Sequence, residues 1–295
     1  MSKILIIGGS GYLGRHLSKV LIKKNDVFIT SRYKREEQNS LVFDLEDSST
    51  YNNIDFNSFD IVFMLASSMS GIQSKTLDGD TFNLNCIAYK DFLNHLVEIN
   101  YAKRFVYISS MTVYSDENSI PVEENGLTEL PPNPYGLSKL LAEQLTKFYC
   151  REHNFKGAII RIPGLFGGDR KSGFIYNAVD KISKNEDFFI LTENLKYWET
   201  ISVLDVSDMI QVFIDSYNWE QDCEVYNICY GNETDIIELA YFIKEYFNST
   251  SNITSTSPKG YKPFYLSNKK YLNLTNNYPN NFKDSLVTYI NTIIE

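Results

Sequence analysis

The sequence predicts an α/β protein: a doubly wound parallel sheet with a smaller C-terminal lobe. Short continuous apolar runs alternate with amphipathic stretches, as strands covered on both faces of a parallel sheet require. The first run turns through closely spaced glycines directly into an amphipathic stretch. After Gly168 the alternation fades, which marks a second unit. A length of 295 residues suits one large domain carrying a smaller one.

Lys3-Ile4-Leu5-Ile6-Ile7 is the first strand, followed by Gly8-Gly9-Ser10-Gly11-Tyr12-Leu13-Gly14 and an amphipathic helix. Strand, glycine turn and helix form the setting of a dinucleotide site, here spaced G-x-x-G-x-x-G. Gly8 permits the tight turn, Gly11 lets the backbone approach a pyrophosphate, and Gly14 lets the helix pack close. The pyrophosphate charge is expected at the helix N-terminus. The second strand, Asp26 to Thr30, runs into Ser31-Arg32-Tyr33-Lys34-Arg35. Chains that select NAD place an acid there, whereas an arginine accepts a 2′-phosphate, so NADP(H) is favoured and NAD(H) is the alternative. Leu41 to Leu45 reads as a third strand ending on Asp44, placed to bond an adenine amino group.

Asp60 to Ala66 is the fourth strand, and it breaks into small residues at Ser67-Ser68-Met69-Ser70-Gly71. Small residues there suit a backbone lying against a ligand. A helix from about Thr81 to Val97 carries Asn85, and Arg104 to Ile108 is a fifth strand delivering Ser109-Ser110-Met111-Thr112-Val113-Tyr114 to the same edge. Tyr135 and Lys139 open the next helix four residues apart, so phenol and ammonium project from one face. An ammonium beside a phenol draws its pKa from about 10 toward neutrality, which would make Tyr135 an acid or base. Ala158 to Ile162 is a sixth strand ending in Pro163-Gly164-Leu165-Phe166-Gly167.

Beyond Gly168 the expectations are a helix near Phe174–Lys184, an apolar run at Phe188–Leu191 and a helix ending at Tyr217. Val225 to Cys229 reads as a returning strand, Ile236–Phe247 as a helix, Ser249–Ser257 as a flexible polar stretch, and a last helix ends at Ile294.

Composition excludes several classes. With a net charge of −9 and no broad basic stripe, the chain is not expected to bind nucleic acid. No apolar run is long enough to span a bilayer, and the N-terminus enters a strand rather than a signal sequence. The four cysteines, Cys86, Cys150, Cys223 and Cys229, form no C-x-x-C and show no disulfide-framework spacing. Buried reduced thiols and a cytoplasmic location follow as expectations.

The motifs together resemble the extended branch of the short-chain dehydrogenase/reductase superfamily, whose members include nucleotide-sugar epimerases, dehydratases and reductases with a Rossmann sheet. Gly8, Gly11 and Gly14 fit its G-x-x-G-x-x-G turn, and Asp44-Leu45 fits its adenine-side pair. Leu65-Ala66 fits the element after strand four, and Asn85 fits the asparagine of the following helix. The SSxxVY run is Ser109 to Tyr114, YxxxK is Tyr135 to Lys139, and R-x-P-G-x-Y-G is Arg161 to Gly167 with Phe166 for tyrosine. The resemblance implies Tyr135 as catalytic acid, Ser110 as the hydroxyl that polarises a carbonyl, and Lys139 as the group that lowers the Tyr135 pKa and holds the nicotinamide ribose. It further implies that Tyr12, Leu13 and Pro163 contact the dinucleotide. It implies a Rossmann domain of residues 1–167 plus about 199–230, a substrate lobe of about 168–198 plus 231–295, and a homodimer through the Tyr135 helix.

Departures from the pattern narrow the activity. Dehydratases of this family carry an Asp-Glu pair after the catalytic hydroxyl, where this chain has Met111 and Thr112. Where many relatives grip a diphosphate with arginine, Trp198 stands on the substrate side; either Arg170 or Lys171 substitutes in that contact or the substrate differs. Ser68 and Thr112 are assigned to substrate. The expectation is an NADPH-dependent reductase of a nucleotide-activated keto-sugar. Its rivals are a nucleotide-sugar epimerase with tightly held NAD, and a non-catalytic NADP-binding sensor or scaffold.

Overall fold

The computed structural model describes residues 1–36, 39–70, 76, 79–191, 199–256 and 264–294. Its strands are β1 (Lys3–Ile7), β2 (Asp26–Ser31), β3 (Ser40–Val42), β4 (Ile61–Met64), β5 (Arg104–Ser110), β6 (Lys156–Ile162), β7 (Gly164–Phe166), β8 (Phe188–Ile190), β9 (Thr200–Ser202), β10 (Glu224–Asn227) and β11 (Ile253–Ser255). Its helices are α1 (Tyr12–Leu21), α2 (Gly79–Phe82), α3 (Tyr89–Glu98), α4 (Pro134–His153), α5 (Phe174–Ser183), α6 (Val203–Ser216), α7 (Ile236–Phe247), α8 (Lys269–Thr275) and α9 (Phe282–Ile294).

Seven strands form one sheet in the order β10-β6-β5-β4-β1-β2-β3, and every pairing in it is parallel. This is the doubly wound Rossmann arrangement expected from the sequence. The continuous apolar runs are explained by burial on both faces. Ile4 and Ile6 join the core beneath α1 and α6, while Leu5 and Ile7 join the core beneath α3 and α4. Successive side chains of one strand thus feed opposite layers. The order reverses between β1 and β4, and a crevice opens at the carboxyl ends of the strands there.

The remaining strands form two pairs, β7 with β9 and β11 with β8, both parallel. The first pair sets Gly164, just after Pro163, opposite Thr200. The strand expected at Val225–Cys229 is β10, and it joins the main sheet beside β6.

Three local expectations are corrected. The third strand is shorter than read: it ends at Val42, Phe43 N makes a last bond to Ser31 O at 3.0 Å, and the Phe43 and Leu45 side chains pack in the core. The helix expected from Thr81 to Val97 is interrupted by a π turn at Asn83–Ala88. The polar stretch after α7 is ordered as far as Thr256, Ser257 lying outside the described residues: Ser249 and Ser251 are buried and share a hydroxyl hydrogen bond of 2.8 Å, and Ile253–Ser255 pairs with β8. Helix α8 had no sequence expectation; it is held by Tyr271, fully buried, whose hydroxyl donates to Met209 O.

All four cysteines are free thiols, three buried and Cys223 half-buried. Among the described residues no helix is long and apolar enough to cross a membrane, and no cluster of His, Cys, Asp and Glu could hold a metal ion.

Candidate functional site

A cleft of about 830 Å³ lies over the carboxyl ends of β1, β4, β5 and β6. Its first wall is the glycine turn. Gly8 has φ +82°, and a Cβ there would stand 2.7 Å from Ala66 N. A Cβ on Gly14 would meet Gly8 O at 2.6 Å, so helix and turn touch backbone to backbone. Gly11 is the N-cap of α1 and supplies no capping side chain, and the first turn holds no acid. The helix therefore presents bare N–H groups and the positive end of its dipole to the cleft, a cradle that fits a pyrophosphate. Tyr12 and Leu13 line the cleft beside them. Replacing Gly8 with alanine should cost about 1–3 kcal/mol through the left-handed backbone and the Ala66 clash, read as a lower urea midpoint at unchanged slope.

The second wall follows β4. Leu65 and Ser67 line the cleft, but Ser68 does not. The Ser68 hydroxyl bonds Ser70 Oγ at 3.0 Å, and its backbone is held by Asn85, whose Oδ1 accepts from Ser68 N at 2.8 Å and whose Nδ2 donates to Ser68 O and Ser138 Oγ, both at 2.9 Å. Ser67 Oγ also donates to Asn85 Oδ1, at 3.2 Å. Asn85 is 3% exposed and every polar atom of its amide is engaged. It fixes the Ser67–Ser68 backbone from its π turn and does not itself line the cleft. Ser67, which the sequence reading passed over, faces the cleft in place of Ser68.

The third wall gathers the candidate catalytic residues. Helix α4 opens on Asn133, which caps Gly136 N at 2.8 Å, with Pro134 at the first helical position. Ser110, Tyr135 and Lys139 meet in the cleft with Thr112 and Pro163. Ser110 Oγ accepts from Thr112 N at 3.2 Å and Thr112 Oγ1 at 3.0 Å, which leaves the Ser110 proton to be donated. Burial pushes the Tyr135 phenol up to about 12, and the Ser67 and Ser110 hydroxyls offset part of that rise. The expected depression by Lys139 is absent. Lys139 is 2% exposed, donates to Ile108 O at 2.6 Å and stands 4.2 Å from the Tyr107 ring centre, and burial pulls its pKa down to about 7. Ser109 turns the other way, donating to buried Glu143 at 2.6 Å.

The assigned adenine-end residues lie beyond the cleft, at the ends of β2 and β3. Arg32 is exposed and makes no ion pair with a described residue, while Ser31 is buried beside it. Asp44 Oδ1 accepts from Glu46 N, and Leu45 is core. Ala66 forms the backbone wall against Gly8.

On the substrate side, Arg170 lines the cleft, its guanidinium 5.4 Å from the Tyr12 ring centre and bonded to Leu165 O at 3.0 Å. Lys171 is exposed and outside the cleft, so of the two cations only Arg170 is placed to meet a ligand there. Trp198 lies outside the described residues. Glu199, which the sequence reading also passed over, lines the cleft.

A family model described as the NAD dependent epimerase/dehydratase family matches residues 4–229. The chain is 28% identical over 256 residues to a Methanocaldococcus jannaschii protein provisionally named a UDP-glucose 4-epimerase, covering 82% of this chain and 81% of that one. It is 25% identical over 280 residues to a dTDP-4-dehydro-6-deoxyglucose reductase of Escherichia coli, covering 86% and 85%. The solved structure of RMD from Pseudomonas aeruginosa, complexed with NADPH, matches with a TM-score of 0.81 at 21% identity, over 99% of this chain and 98% of that one. At that identity the structural likeness shows a shared fold.

Proposed function

The chain belongs to the NAD dependent epimerase/dehydratase family, and from that premise we propose that it is an NADP(H)-dependent reductase of the keto group of a nucleotide-activated deoxysugar. The observation that carries this reading is the meeting of Ser110, Tyr135 and Lys139 in one cleft with the glycine turn. The residues fit a dinucleotide: the turn and the uncapped start of α1 would hold its pyrophosphate, and Lys139 and Pro163 its nicotinamide end. When bound, the dinucleotide supplies a hydride to the carbonyl carbon. Tyr135 gives its proton to the carbonyl oxygen, Ser110 donates a hydrogen bond to the same oxygen, and solvent then restores the Tyr135 proton. The buried phenol, protonated throughout the neutral range, suits the acid's role in reduction. Arg170 is the cation offered to a diphosphate.

Loss of water from the sugar would need a further acid and base beside Ser110. Met111 offers neither, and the Thr112 hydroxyl is spent on Ser110. Epimerisation with retained NAD uses the same three side chains, and the relatives' names include both activities. The exposed Arg32 just past β2, where a carboxylate would favour NAD, supports the reductase.

The test is to denature freshly purified protein, identify any dinucleotide released, and measure NADPH and NADH binding to the emptied protein. Release of near-stoichiometric NAD⁺ would overturn the reductase in favour of an epimerase. Arg32→Asp should weaken NADPH binding by roughly 10–100-fold and leave NADH at or above its original affinity. Equal losses for both dinucleotides would remove Arg32 from the 2′-phosphate.

A further inference from the structure

One buried group on the cleft wall has no part in the chemistry above. Glu199 heads β9 and is 2% exposed. Its backbone carbonyl accepts from Gly164 N at 3.1 Å, which fixes it beside the segment that follows Pro163. Its Oε2 accepts from Leu266 N at 2.9 Å. Its Oε1 is buried without a hydrogen-bond partner among the described residues. Buried carboxyl oxygens are nearly always partnered, and an exception beside a ligand cleft calls for a ligand group. No lysine or arginine among the described residues bears on this carboxyl; the titratable group facing it is the Cys229 thiol, which stands within hydrogen-bonding reach of the carboxyl, gives its proton to Leu266 O at 3.5 Å, and is itself raised by burial.

We infer that Glu199 is a specificity-determining residue whose buried carboxyl group bonds a hydroxyl of the sugar ring. The inference rests on the reading above that the cleft takes a nucleotide-activated sugar. A hydroxyl fits because it both donates and accepts, whereas a phosphate would meet a carboxyl with no cation beside it. Burial pushes the Glu199 carboxyl up to about 8, so near neutral pH it is mostly protonated and can donate as well as accept. A site built around such a bond discriminates sharply, because an analogue without the hydroxyl leaves the buried group unpaired.

The experiment is calorimetric titration of the NADPH-loaded full chain with UDP-glucose, dTDP-glucose and GDP-mannose, each beside its nucleoside diphosphate. The quantity read is the affinity advantage of each nucleotide sugar over the matching diphosphate. Glu199→Leu should cut that advantage by roughly tenfold or more and leave diphosphate and NADPH affinities unchanged. Glu199→Gln keeps the Leu266 bond and supplies a second readout. Between about pH 7 and 9, wild-type affinity for the sugar should fall as the carboxyl ionises, and that of Glu199→Gln should stay level. An unchanged advantage in Glu199→Leu overturns the inference, as does an equal loss for the diphosphate or NADPH, which is the mark of a structural role. If Glu199→Leu does not fold, identical pH profiles for wild type and Glu199→Gln overturn it. Wild-type protein that binds none of the three sugars overturns the proposed function and this inference with it, an outcome separate from any seen only in the variants.

Discussion

Tyr135→Phe should lower keto-sugar reduction by roughly 10²–10⁴-fold while NADPH binds as before. The ring fills the same space, so the helix start and the wall of the cleft persist; only the hydroxyl that faces Ser67 and Ser110 is lost. No neighbour can take over the proton. Lys139 is committed to the Ile108 carbonyl, and Ser110 is a hydroxyl with no basic partner to recharge it. Because burial pushes the phenol up to about 12, wild-type reduction should not fall through ionisation of Tyr135 anywhere near neutral pH. Steady-state rates of NADPH consumption, with binding measured separately by fluorescence, would check both parts. Turnover retained within a few-fold in Tyr135→Phe would remove the phenol as proton donor. Wild-type protein that binds NADPH but consumes none with any keto-sugar would instead support a sensor or scaffold.

What could be read in the sequence was what short-range chemistry dictates. Lys3–Ile7 with its glycine turn identifies itself because a buried parallel strand tolerates only apolar residues, and the Gly8 and Gly14 positions tolerate no Cβ. What the sequence did not show shares a cause in partners distant along the chain. The i, i+4 spacing placed Lys139 on the side of Tyr135, yet its ammonium is captured by Ile108 O, which only tertiary packing brings near. Asn85 matched a family position, but its amide is consumed by Ser68 and Ser138. Ser67 and Ser68 are chemically alike, and side chains next to each other at a strand's end face opposite ways, so composition could not choose between them. Glu199 sits between ordinary neighbours, and its burial depends on Leu266. The serines after α7 look like a solvated linker until Asn185 accepts from Thr250 N at 2.9 Å and ties the segment down.

The same helix face that carries the candidate chemistry carries the second large expected effect. Tyr135, Lys139 and Glu143 recur every four residues along α4, so one buried stripe holds acid, lysine and carboxylate. Glu143 is fully buried and is gripped by Arg161, with Nε to Oε1 at 2.9 Å and Nη2 to Oε2 at 2.7 Å. Arg161 also donates to Glu124 O at 3.1 Å and lies 4.5 Å from the Tyr114 ring centre, and Tyr114 donates to Asn227. Glu143→Gln would keep the shape and strand the guanidinium charge in the core, which should cost about 3–5 kcal/mol. Urea unfolding followed by circular dichroism would read it as a lower midpoint. Replacing both Glu143 and Arg161 with leucine should cost less than the single change, since the penalty lies in the orphaned charge rather than in the missing pair. A double variant as unstable as Glu143→Gln would show that the pair itself contributes the stability. In either case the Ser109 hydroxyl loses its carboxylate on the residue next to Ser110, so a fall in turnover should accompany the fall in stability, and it should persist in the stable double variant.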